Sequence, residues 1–212
     1  MEQTITILIY IHAFLGGLGL ISGLFSVITK KGSSFHKKFG KLFSIGMIGS
    51  SLISLPICWL PNHKNLFLFL IGLFTIYLVL AGNRALSFKN KHKKGANLLD
   101  KLISGAMLFF SIVMIIIGIY GITNAIDNSV LFLFFGVFGA FMTIKDFKFY
   151  TTFSTSKNAW LKNHIGKMIG AFIASITAFI VAGIGIGSLI AWITPSILGT
   201  FYIIYWNRKV KQ

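Results

Sequence analysis

Apolar positions along this chain fall into seven long runs, near residues 4–29, 39–60, 65–87, 101–123, 129–145, 163–184 and 189–206, with short polar stretches between them. A helix crosses a hydrocarbon core of about 30 Å with roughly 20 such residues, so the pattern predicts seven transmembrane helices. The fold class that follows is all-α, a polytopic membrane helical bundle in which residues 1–212 form one integral domain. Pro61-Asn62, Asn124 to Asn128 and the series Gly183, Gly185, Gly187 supply short turns, which make consecutive helices antiparallel neighbours. Pro56 predicts a kinked or shortened end of the second span. Thr194-Pro195 reads as N-cap and first helical position, which would cut the seventh span to about 15 residues.

Composition agrees with a membrane solvent. Hydrophobic residues make up 55% of the chain, charged residues 11%, and the mean hydropathy is +0.82. A net charge of +16 would normally point to nucleic acid. Here the lysines sit in blocks between apolar runs, which excludes a nucleic-acid surface and points to topology. Nineteen of the 20 basic residues, all but Lys64, fill or border the first, third and fifth connections or close the C-terminus, and so lie on one side. The positive-inside rule then predicts the N-terminus outside and the C-terminus cytoplasmic. No basic segment precedes the first apolar run, so that run is expected to be retained. Trp59 and Trp192 fall near outer boundaries and Trp160 and Trp206 near inner ones, as an aromatic belt would. Cys58 is the only cysteine, which excludes an intramolecular disulfide or a thiolate metal cluster.

Small residues mark the faces on which helices are expected to approach one another. Gly166, Gly170, Ala174, Ala178 and Ala182 recur every fourth residue and predict one close-packing face on the sixth span. Gly16, Gly19 and Gly23 do the same on the first span, where Gly46 and Gly49 of the second are expected partners.

Ionisable residues inside such runs are functional-site candidates. His12 lies about 12 Å into the first span at 1.5 Å per residue, on the glycine face, where it is either such a site or a neutral imidazole bonded to a neighbouring serine or backbone carbonyl. His164 stands at the mouth of the sixth span, and His36 three residues before the second apolar run, where Ser33 and Ser34 can cap the helix. His36, His92 and His164 are each followed by a nearby glycine (Gly40, Gly95, Gly166), a weak repeat consistent with duplicated hairpins. Within KNKHKK, His92 reads as a solvated loop residue, and His63 as interfacial. Tyr77 and Arg84 share a face of the third span. Arg84 is suited to bidentate recognition of a carboxylate or phosphate, and Asp146, one of four acidic residues, is its expected partner. The candidate site is thus His12, His36, Tyr77, Arg84 and His164.

The Gly-rich first span after His12, the loop KKGSSFHKKFGK, the GNRAL end of the third span and WLKNHIGKMIGAFIASITAFIV together resemble one family, over nearly the whole chain. It comprises the multi-pass bacterial membrane proteins grouped as domain of unknown function 2306, in their Bacteroidetes form. The resemblance implies seven helices in an inner membrane and singles out His12, His36, Arg84 and His164. It implies no activity. Where the family has a histidine-arginine pair in the first loop, this chain has His36-Lys37.

Three function classes remain open. One is an electron-transfer bundle holding b-type haem, with His36 and His164 on the iron and Arg84 and lysines on the propionates. Another is a small-solute or proton-linked transporter using His12, Tyr77 and Arg84. The third is an accessory or scaffold subunit that packs on a protein partner or on its own copies. A hydrolase is not expected, because HExxH, GxSxG, a P-loop and paired carboxylates are all missing from the sequence.

Overall fold

The computed structural model describes residues 2–90, 93, 95–153 and 157–210. Among them there are seven long helices and no strand: α1 (Glu2–Ile28), α2 (Ser34–Ile57), α3 (Leu66–Ala85), α4 (Leu98–Thr123), α5 (Ser129–Thr152), α6 (Ala159–Ala178) and α7 (Leu189–Lys209). All seven are long and apolar enough to cross a membrane, so the architecture is that of a multi-pass membrane protein. A 3-10 turn, Leu86–Lys89, extends α3, and a π-helical turn, Phe179–Gly183, extends α6. His92, with Lys91, Lys94 and Lys211, lies outside the described residues.

Local chemistry sets the helix starts. Ser33 caps α2 by accepting from the His36 amide, Asn65 caps α3 from the Leu68 amide, and Asn97 with Asp100 closes a reciprocal capping box on α4. Ser188 caps α7, so the helix begins at Leu189 and not at Thr194-Pro195. Pro195 sits inside α7 instead, and the seventh span reaches full length. Pro56 lies in the last turn of α2, where it ends the helix. The fifth helix runs to Thr152, well past the expected limit at 145, because Lys145 and Lys148 end the apolar run without ending the helical backbone.

α3 is the central helix. Phe67, Leu70, Phe74, Tyr77, Leu78 and Val79 are all buried along it, and it touches α2, α4, α5 and α6. Two close pairs flank it, α1 with α2 and α4 with α5, while α6 joins α3 to α7. Glycine makes the pairs close. A Cβ on Gly46 would stand 2.8 Å from the Leu15 carbonyl oxygen and 2.9 Å from the Gly19 nitrogen, and one on Gly118 would meet the Leu133 backbone. Gly19 and Gly23 serve this packing as expected, Gly19 against Met47 and Gly23 against Phe43 and Phe172.

The expected small face of α6 is only partly used. Gly170 packs on Leu78, but Gly166 faces open space and Ala178 and Ala182 are exposed. The buried face runs instead through Lys167, Gly170, Ala171, Ile173, Ser175 and Thr177. It is rotated toward α3 because Lys167 must be covered, while Ala174 stays half-buried. Trp192 also departs from a belt position: it is buried against Phe67 and Phe135, at ring separations of 5.1 and 6.1 Å.

Candidate functional site

The ends of α1, α3, α5 and α7 and the starts of α2, α4 and α6 meet at one basic end of the bundle. Cross-contacts tie them together: Lys31 stacks over Trp206, Lys89 over Trp160, and Asn158 donates to the Val210 carbonyl at 3.0 Å. Within that end lies a cavity of about 1020 Å³ between α1, α2, α3, α6 and α7. Its apolar wall includes Phe43, Ile48, Met168 and Phe172, its rim carries Lys31, Lys37, Lys41 and Lys89, and both His36 and His164 open onto it. Burial lowers the Lys31 pKa from its ordinary 10.5, and the ammonium donates to the carbonyls of Ser26 (3.3 Å) and Val27.

The two histidines are held in the same way. His164 Nδ1 lies 2.8 Å from the Gly82 carbonyl oxygen and His36 Nδ1 lies 2.9 Å from that of Ser26. A carbonyl can only accept, so each Nδ1 carries the hydrogen and each neutral ring keeps its lone pair on Nε2. Backbone fixation of this kind is what orients imidazoles as metal ligands. Glycine permits the α6 contact: a Cβ on Gly82 would come within 2.8 Å of Met168 Sδ and 3.0 Å of Lys167 Cβ. Among the described residues no three His, Cys, Asp or Glu side chains converge to hold a bare metal ion. A porphyrin supplies four ligands itself, so one or two imidazoles suffice for its iron. Apolar walls, a cationic rim and two backbone-fixed imidazoles thus share one cavity.

His12 lies elsewhere. Its Nδ1 donates to the Ser50 carbonyl at 2.9 Å, and the Ser50 hydroxyl donates back to the His12 carbonyl at 3.0 Å, so it links α1 to α2. Tyr77 and Arg84 are also absent from the cavity wall. The five expected residues thus divide, with only His36 and His164 brought together.

Tyr77 belongs to a second polar centre that the sequence reading did not assemble. Its hydroxyl donates to Asp146 Oδ2 at 2.5 Å, Lys167 Nζ donates to the same oxygen at 2.9 Å, and Ser104 Oγ donates to it at 3.0 Å. Lys167 also reaches the Tyr77 hydroxyl and the Met142 carbonyl (3.3 Å), and Asn163 Nδ2 lies 3.4 Å from Asp146 Oδ1. Tyr77, Asp146, Ser104 and Lys167 are all buried. The partner of Asp146 is therefore Lys167, not Arg84. Arg84 Nε pairs with Asp100 at 2.5 Å and its Nη2 donates to Asn97 at 2.9 Å, while Lys93 adds a third contact to Asp100 at 3.1 Å. That guanidinium clamps the start of α4 to the end of α3 and has its carboxylate within the chain. Lys167 was counted with the loop lysines. The sequence signal for it is its place inside a helical run, on one face with Asn163 and Gly170.

No family model, curated protein or solved structure matches this chain.

Proposed function

We propose that the chain is a bacterial inner-membrane protein of the domain of unknown function 2306 kind, N-terminus outside, whose basic-end cavity holds b-type haem. His36 and His164 are the iron ligands in this reading, and the rim lysines hold the propionates. The observation that carries it is the shared fixation of the two imidazoles, each with Nδ1 committed to a backbone carbonyl and Nε2 left free on one cavity. Neither histidine needs a second protein partner to be satisfied, which is the state a ligand requires. Lys31, Lys37, Lys41 and Lys89 balance two carboxylates, and Phe43, Met168 and Phe172 exclude water from the ring. Bound haem would supply one-electron transfer, which gives the bundle a redox role. The orientation rests on the clustering of basic residues at that end.

The test is an absorption spectrum of protein purified in mild detergent from haem-replete cells, recorded oxidised and dithionite-reduced. A Soret band with sharp reduced bands is expected. A featureless spectrum at full haem supply overturns the reading.

A second reading has one observation in its favour. An apolar cleft of about 530 Å³ between α6 and α7 shares Val27, Ile169, Phe172 and Tyr202 with the cavity. A cationic head pocket continuous with an apolar cleft suits a small anionic amphiphile as solute. Displacement of bound lipid by haem in the purified protein would separate the two, since only the haem reading requires His36 and His164.

A further inference from the structure

We propose that Asp146 is a proton-binding site inside the bundle, reached from the basic end through the hydroxyls of Tyr150 and Ser104. The inference goes beyond the haem cavity and does not depend on it. It starts from an unbroken line of exchangeable groups. Lys167 Nζ, Asp146 Oδ2, Ser104 Oγ and Tyr150 OH follow one another at 2.9, 3.0 and 2.8 Å. The inner members are buried, whereas Tyr150 is half-buried and its hydroxyl donates to the Asp100 carbonyl at 3.1 Å, beside the Arg84 and Lys93 rim, with Ser104 Oγ as its alternative acceptor at 2.8 Å.

Each hydroxyl on this line both accepts and donates, which is the requirement for passing a proton without moving a side chain far. The Tyr150 hydroxyl first turns its hydrogen from the Asp100 carbonyl to Ser104; a proton arriving at the rim then binds the Tyr150 oxygen as that hydrogen passes to Ser104, and the Ser104 hydrogen passes to Asp146 Oδ2. Both remain hydroxyls, and each rotates back before a second transfer. The carboxylate becomes a carboxylic acid, and the charge of the Asp146 and Lys167 pair rises from zero to one. Reversal returns the proton to the same rim.

The groups that face Asp146 set what this costs. Tyr77 comes from α3, Ser104 from α4, Tyr150 from its own helix, and Asn163 and Lys167 from α6; among the described residues Lys167 is the one cation paired with it. A pure clamp between these helices would not need such groups, because a buried ion pair can be replaced by apolar side chains at little or no loss of stability. An ionisable pair buried within an apolar helical bundle points to use of its charge.

The test uses the full chain in lipid nanodiscs and infrared difference spectra after a light-triggered proton release. A protonated-carboxyl band should rise, shift in D₂O and be missing in Asp146→Asn. In Ser104→Ala and in Tyr150→Phe the same band should rise about tenfold more slowly. If Asp146→Asn does not accumulate, the two hydroxyl variants decide the matter alone, since each removes one atom from a side chain that otherwise stays. A band that persists in Asp146→Asn belongs to Glu2, Asp100 or Asp127 and overturns the proposal. So does an unchanged rate in both hydroxyl variants, or the lack of any acid band at every pH where the helical circular dichroism survives.

Discussion

Lys167 Nζ lies 2.9 Å from Asp146 Oδ2, and the two side chains are only 3% and 2% exposed. This pair joins α6 to α5 where α3 contributes Tyr77 and α4 contributes Ser104, so it ties four helices together. Lys167→Met leaves the carboxylate buried with uncharged partners only, at a cost of about 3–5 kcal/mol. Thermal unfolding in detergent should show a large loss for that variant. Lys167→Met combined with Asp146→Leu should recover much of it. A double variant less stable than the single would contradict this account.

Backbone contact should make Gly46 far less tolerant than Gly166. A Cβ at Gly46 meets main-chain atoms of Leu15 and Gly19, which cannot move aside, whereas nothing lies within 4 Å of one at Gly166. Gly46→Ala is expected to cost about 1–3 kcal/mol as overpacking. Gly166→Ala should be neutral in the same unfolding assay.

Anion binding in the cavity should weaken with alkalinity before the exposed lysines titrate. Burial lowers the Lys31 pKa below 10.5, so this ammonium loses its proton first as the pH rises, and the cavity loses one positive charge. Iron-free protoporphyrin, which binds without an iron ligand, isolates this term. Its affinity should fall on the alkaline side, and Lys31→Gln should weaken binding at neutral pH and flatten the dependence.

Orientation can be read with one cysteine at a time. Cys58 is buried at the end of α2 opposite the basic end, and burial pushes its thiol pKa up, so it should react slowly with maleimides even before it is removed. In a Cys58→Ala background, Lys64→Cys should be labelled on intact spheroplasts by an impermeant maleimide. Lys37→Cys should be labelled only after permeabilisation. The reverse pattern would invert the topology.

Seven helices were legible because each exposes a continuous apolar run, a signal that survives without knowledge of neighbours. Helix limits were less so: α5 outlasts its apolar run by several residues because helical hydrogen bonding does not stop where the hydrocarbon does. The small-residue face of α6 misled in part, since periodicity gives a face but not its partner, and the burial of Lys167 turned Ala178 and Ala182 outward. Pairing was the least legible. Asp146 and Arg84 looked matched by depth, yet the capping box at Asn97 draws Asp100 under Arg84 and leaves Asp146 to Lys167. His36 and His164 were visible as residues, but their fixed tautomers come from the carbonyls of Ser26 and Gly82, which no side-chain pattern records.

The most direct measurement is haem bound per protein, by pyridine haemochrome, in wild type, His36→Ala, His164→Ala and His12→Ala purified side by side. The account predicts haem in wild type and in His12→Ala, with loss or an altered spectrum in each of the other two. Full retention in a His36→Ala, His164→Ala double variant, or loss in His12→Ala alone, would contradict it.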